Sequence, residues 1–392
     1  MSKRYLEEHE ERGYEDDDRA VCLDHFLGDD LRRAVKDHLT EPACDFCSRT
    51  STTGEPIGVP MEIVAGVVMG AIRRIYERAL DVLYFDDDFT ARYDTSEAVD
   101  ELIAYELDEE PLDVLKEILV EETWCEDPSG LTQDIVLMTS WESLRRQVMH
   151  HQRFVFLTGL SENVVGGLHE QYMSAAALLE SLGRGVDETG ILRTLPAGTI
   201  FLRGRPMPSG TAPASVDASS LGSPPLAKAA ANRMSPAGIS MFYGSEDEAT
   251  VLAEISAHHD GSPSDAVIGS FRAMRELTIV DLTAIPPERI FDEQLDFRVV
   301  RFLNHFARDL SRPVALDGSE HVEYVPTQVA TEYLRYALGV DGIRFASSLT
   351  DGANVVLFVA TTACCDERAA DAGSVLELVS GSVTTQPLPL KS

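Results

Sequence analysis

Four residues near the N-terminus have side chains that bind soft metal ions. Cys22-Leu-Asp-His25 is followed, after eighteen intervening residues, by Cys44-Asp-Phe-Cys47. Each pair spans one turn, so two side chains can reach the same ion. Two such pairs around a short insert give zinc its four tetrahedral ligands. The spacing predicts a structural zinc site built from Cys22, His25, Cys44 and Cys47, in a zinc knuckle over residues 21–50, with all four positions held by protein. The plainer reading of the same residues is buried thiols and an exposed imidazole.

The chain that carries these ligands has 392 residues and a net charge of −33. Such a charge repels a phosphate backbone, so broad binding to DNA or RNA is not expected, although one basic pocket for a small anion is still allowed. Acidic runs such as Glu15 to Asp18 and Asp86 to Asp88 read as solvated faces. Apolar residues make up 44%, enough for folded domains, yet no run reaches the ~18 residues of a membrane span. The opening MSKRYLEEHEERGYEDDD has no apolar stretch of the kind a signal peptide needs. A cytoplasmic protein is expected, and there all six cysteines are better read as thiols or metal ligands than as disulfides.

The elements that must position the chemistry fall into two styles. Residues 1–20 are charged and aperiodic, and disorder is predicted for them. From Met61 to Leu182 apolar residues recur at helical spacing: Ile63, Val67, Ala71 and Ile75, then Leu112, Leu115 and Leu119, then Trp141, Leu144 and Val148. Thr95 looks like a helix cap. An all-helical domain over residues 55–190 is expected. After Gly183 short β-rich runs appear at Thr199–Arg203, Ile239–Tyr243, Ala266–Arg272, Glu276–Leu282, Gly342–Ala346 and Asn354–Val359, with helical stretches at Glu246–Ala257, Asp296–Ser311 and Tyr324–Leu338. The fold class is therefore α+β. Residues 206–230 read as a long loop and 366–392 as a loose tail.

The later runs carry a resemblance. Asn232-Arg233-Met-Ser-Pro-Ala-Gly through Tyr243-Gly-Ser is similar to the "GRWNPPG…Y" block of RES domains, with Asn232 where Gly is common and Met234 where Trp is common. Ala249-Thr-Val-Leu-Ala-Glu254 looks like the family's glutamate helix. Tyr324-Val-Pro-Thr-Gln328 and Asp341-Gly-Ile-Arg-Phe-Ala-Ser347-Ser348 resemble its later blocks, and Arg203 matches the opening one. The resemblance implies a RES domain over residues 195–362, with a split β-sheet like that of the ADP-ribosyltransferases and NAD⁺ as its substrate. Arg233, Tyr243, Glu254 and Ser347 would be catalytic, and Arg203, Arg233, Tyr243 and Ser347 would bind NAD⁺; spacing favours Ser347 over Ser348. The chemistry agrees. Arginine forks hold pyrophosphate, and a carboxylate beside the ribose stabilises an oxocarbenium-like transition state when nicotinamide leaves. The implied role is that of a bacterial toxin or defence enzyme, a glycohydrolase or phosphorylase, with an antitoxin or trigger protein as partner.

Trp124-Cys-Glu-Asp-Pro, Trp141-Glu-Ser-Leu and Val148 to Phe156 resemble the HEPN-like helical domain that precedes some RES domains, which would sense a trigger or restrain the catalytic half. HEPN ribonucleases use an Arg-x4–6-His motif, and Arg145 with His150, or Arg146 with His151, fits it. Ribonuclease is thus the competing enzyme reading. Protein ADP-ribosylation and a non-catalytic zinc-binding interaction module are the others.

Overall fold

The computed structural model describes residues 11–83, 91–126, 132–154, 173–258, 262, 264–292, 294–312, 320–367 and 369–388. Contacts divide the chain into two compact units, residues 1–133 with 288–298, and residues 134–287 with 299–392. No helix among the described residues is long and apolar enough to cross a membrane.

In the first unit β1 (Ala20–Cys22) pairs antiparallel with β2 (Gly58–Pro60). The longer helices of this unit among the described residues are, in chain order, α1 (Asp29–Val35), α2 (Met61–Ile75), α3 (Thr95–Ile103) and α4 (Glu109–Ile118). Helix α2 buries Met61, Val64, Ala65, Val68, Met69 and Ile72, the i, i+3, i+4 stripe of a helix facing a core. The unit also holds a three-stranded sheet that the sequence reading missed: β3 (Glu77–Arg78), β4 (Arg92–Asp94) and β5 (Thr123–Cys125), with β5 central. Strands of two or three residues are too short for alternation to register.

Trp124 is buried in β5, and its indole N–H donates to Thr95 Oγ1 over 3.1 Å. Thr95 is therefore not the expected cap. Asp94 caps α3 in a capping box with Glu97. Residues 11–20 are ordered rather than disordered, because Glu15 N–H donates to Ile118 O at 2.8 Å and Tyr14 packs on the core; residues 1–10 lie outside the described residues.

The second unit opens with α5 (Gln133–His150) and α6 (Ala175–Glu188), both assigned by the sequence to the N-terminal helical domain. Trp141, Leu144, Val148, Leu178, Leu182 and Val186 share one core with Phe302, Phe306, Leu310 and Leu334. Periodicity shows that these faces are apolar, and only the tertiary fold shows what they meet. The contact division thus groups α5 and α6 with the second unit.

The sheet of this unit contains β6 (Leu192–Leu195), β7 (Ile200–Pro208), β8 (Phe242–Ser245), β9 (Ser264–Ala273), β10 (Leu277–Asp281), β11 (Gly342–Ala346), β12 (Ala353–Leu357), β13 (Cys364–Asp366), β14 (Leu376–Leu378) and β15 (Thr384–Pro387). The order is β13-β14-β9-β7-β8-β12-β11-β10-β6, with β15 on the other stretch of β9. Strands β7 and β8 meet at one residue pair, Leu202 with Ser245, so the sheet divides there into two halves. Helices α7 (Glu248–His258), α8 (Phe297–Ser311) and α9 (Val325–Ala337) complete the unit.

Residues 366–392 are not a loose tail, since β14 and β15 pair with β9 and Leu376 and Leu378 are buried. That pairing joins residues about a hundred positions apart, which local pattern cannot reveal. Residues 206–230 are likewise more than a loop: β7 runs to Pro208, and a capped turn of helix, Ala218–Leu221, buries Leu221 completely.

Candidate active site

A cavity of about 500 Å³ opens where the two sheet halves meet, walled by β7, β8, α7, β12 and the Asn232–Ser235 turn. Gly204 sets the approach of α7. A Cβ there would stand 2.3 Å from Ile255 Cδ1 and 2.5 Å from Val251 Cγ1, so only glycine lets α7 lie against β7 and carry Glu254 to the cavity. The helix starts on Asp247, whose side chain accepts from Thr250 N–H at 2.8 Å.

Glu254 Oε1 accepts two hydrogen bonds, from Ser347 Oγ at 3.0 Å and from Asn354 Nδ2 at 2.7 Å. Ser347 Oγ in turn accepts from Leu349 N–H at 3.1 Å. Ser348 is exposed at the cavity wall and makes no such bond.

The turn that carries Arg233 is pinned from α9. Thr327 Oγ1 donates to Arg233 O, and Gln328 Nε2 donates to Asn232 O at 2.8 Å and Ser235 O at 3.2 Å. The guanidinium of Arg233 reaches the cavity. Burial lowers its pKa, and the nearby Tyr324, Glu254 and Tyr243 oppose that shift. Tyr243 Oη stands 3.0 Å from Ser235 Oγ and accepts from Met234 N–H at 3.3 Å. Burial pushes its pKa up to about 12, so the phenol stays neutral at physiological pH.

Arg203 sits in the same wall but is occupied by the protein. Its Nε donates to Leu221 O at 2.7 Å and its Nη1 to Tyr243 O, and it lies over the Phe242 ring. Burial, with Arg205 alongside, pushes its pKa down to about 9, so it stays charged at neutral pH. Its visible work is to tie the Ala218–Leu221 turn to β8.

Sequence reasoning missed Asn354, which it had treated as an ordinary strand residue, and gave Ser245, Tyr324, Thr327 and Gln328 no role. An Asn in an otherwise apolar strand was the one available signal.

In the first unit the ligand atoms of Cys22, His25, Cys44 and Cys47 lie within 4.8 Å of one another. His25 Nδ1 is 2.8 Å from Asp108 Oδ2, while its buried Nε2 has no hydrogen-bond partner. The donor set fits a tetrahedral metal: three sulfurs and one imidazole nitrogen, with the other ring nitrogen fixed by a carboxylate as metal-binding histidines usually are.

The ribonuclease pair does not assemble. Arg145 Nη1 is engaged by Glu142 Oε1 at 2.9 Å and Asp309 Oδ2 at 3.1 Å, while His150 is exposed.

Fold and site together define an α+β protein with a mainly helical N-terminal unit and one cavity that gathers an arginine, a glutamate, a tyrosine and a serine. Residues 212–378 match the family model of the RES domain, and residues 37–162 match HEPN/RES N-terminal domain 1. The chain is a RES-domain protein with the HEPN-type N-terminal domain of that family. Among solved structures it is similar to a chain of "Crystal structure of the M.tuberculosis MbcT-MbcA toxin-antitoxin complex", at 13% identity and a TM-score of 0.31, covering 53% of this chain and 92% of that one. No curated protein matches.

Proposed function

We propose that the cavity binds NAD⁺ and cleaves its nicotinamide–ribose bond. The observation that carries this reading is the convergence of Arg233, Tyr243 and Glu254, with Ser347 on the Glu254 carboxylate, from four separate segments at one cavity. Arg233 supplies a guanidinium for the pyrophosphate. Glu254 faces the positive charge that grows on the ribose as nicotinamide leaves. Tyr243, neutral and held by Ser235, offers an aromatic wall for the nicotinamide ring. Arg203 supports the wall, and its expected contact with NAD⁺ would run alongside the two carbonyls it already serves. The division of the sheet at Leu202 and Ser245 supports the split-sheet, ADP-ribosyltransferase-like reading.

Water or phosphate is the acceptor, making the enzyme a glycohydrolase or a phosphorylase. Incubating the protein with NAD⁺, with and without phosphate, and weighing the products tests both parts. Free nicotinamide with ADP-ribose or its 1-phosphate is expected, and intact NAD⁺ would end the reading.

At family level the RES domain supports an NAD⁺-degrading toxin. We propose that this chain acts so in the cytoplasm, checked by an antitoxin or trigger protein that its N-terminal unit senses. We also propose that Cys22, His25, Cys44 and Cys47 hold a structural zinc ion, with Asp108 orienting His25. When bound, the ion would cross-link the first-unit loops that supply its ligands. The described residues from 1 to 190 include none that lines the cavity, which supports a controlling rather than a catalytic role for the N-terminal unit.

A further inference from the structure

We infer that Asn354, itself oriented by Ser245, is the positioning residue for the Glu254 carboxylate. This deepens the NAD⁺-cleavage reading of the same cavity and rests on it. Asn354 and Ser245 are direct cross-strand partners on β12 and β8. Ser245 Oγ donates to Asn354 Oδ1 over 2.6 Å, and Asn354 Nδ2 donates to Glu254 Oε1 over 2.7 Å. The amide orientation follows from its neighbours. A flip would set the amide oxygen against a carboxylate oxygen, leaving neither with a proton to share. Ser347 is fixed in the same sense, because its oxygen accepts from Leu349 N–H and its proton is left for Glu254. One carboxylate oxygen therefore takes two directed donors, from β12 and from the end of β11.

Packing alone does not call for this arrangement. Ala353, Val355, Val356 and Leu357 around Asn354 are apolar and buried, and Asn354 and Ser245 are themselves 9% and 3% exposed. An amide there is costly unless its groups are paired, and both ends of this one are spent, one on a hydroxyl and the other on the carboxylate. Among the described residues, the other charged or titratable groups on the cavity wall are Arg203 from β7, Tyr243 from β8, Arg233 from its turn and Tyr324 ahead of α9.

Asn354→Asp keeps the shape and the acceptor for Ser245 but replaces the donor with a carboxylate oxygen, so the pair shares a proton. Its kcat for NAD⁺ cleavage should fall by at least about thirtyfold at pH 7, by analogy with loss of a preorganised contact, and the acid limb of its kcat–pH profile should move up. Asn354→Ala should lose less and move the same limb in the same direction, with the loss falling on kcat rather than KM. Profiles that overlay the wild type, or losses equal at every pH, would overturn the inference. Should the wild type leave NAD⁺ intact, the cleavage reading fails, and the inference is still decided by titrating the Glu254 side-chain carboxyl by ¹³C NMR. An upward shift in Asn354→Ala supports the positioning role, and an unchanged midpoint overturns it.

Discussion

The Cys/His cluster and the cavity are built in opposite ways. All four side chains of the Cys/His cluster come from residues 22–47, and their spacing alone marks them as a set. The cavity draws Arg203, Arg233, Tyr243, Glu254, Ser347 and Asn354 from more than 150 positions of chain, and each is an ordinary residue until the sheet brings it to the others. The first is a local device that a loop closes; the second exists only when a whole unit is folded. The contrast teaches where damage should be contained and where it should spread.

The largest effect expected is from truncation. A chain beginning at Gly183 keeps every cavity residue but loses α5 and most of α6. Trp141, Leu144, Val148, Leu178 and Leu179 are each at most 3% exposed. At roughly 1.5–3 kcal/mol apiece their burial approaches the whole ~5–15 kcal/mol of a typical domain. That chain should be unfolded by circular dichroism, and a folded, NAD⁺-cleaving fragment would show that the cavity is as local as the cluster.

Glu254→Gln removes charge but little volume. It should slow NAD⁺ cleavage by about 10²–10³, the effect of one lost transition-state contact, with an unchanged thermal midpoint; activity within about threefold of wild type would show that the carboxylate is misassigned.

Cys44→Ser should take zinc, measured by metal analysis of purified protein, from about one per chain to none. Full zinc in that variant would remove the metal reading and leave four clustered groups without an ion.

Thr327→Ala frees the carbonyl of Arg233 and loosens its turn. It should weaken kcat/KM about tenfold, in line with a buried group left unpaired at ~1–3 kcal/mol; a wild-type value would mean the turn holds without α9. Smallest of all, His150→Ala with His151→Ala should leave NAD⁺ cleavage as it is, because both residues are exposed at the C-terminal end of α5 and neither lines the cavity. RNA decay abolished by that change, with NAD⁺ untouched, would reinstate the ribonuclease.

Legibility followed the same contrast. Strand β11 lies where the sequence put it, and α7, α8 and α9 differ from expectation by at most two residues at either end, since their apolar patterns are long enough to register. The short strands β3, β4 and β5 left no such trace, and neither did the docking of β14 and β15. Of the residues quoted from the RES-like blocks, Arg203, Arg233, Tyr243, Glu254 and Ser348 line one cavity and Ser347 bonds Glu254 beside it, whereas Asp341 pairs with Arg275. Their division of labour was not readable. Arg203 looked like a ligand contact and turns out to be held by two carbonyls, whereas Asn354 looked like a strand residue and turns out to hold the glutamate.

By itself the sequence determined the Cys/His quartet, the change from helical to mixed structure, and the set of residue types available for chemistry, because each is written in side-chain identity and short-range period. The tertiary structure decided which helices belong to which core, where the chain's last strands dock, and which hydrogen bonds each cavity side chain already makes. Those depend on contacts between residues far apart in sequence. A hydrogen bond also commits one particular lone pair or proton, and no local pattern records which partner will claim it.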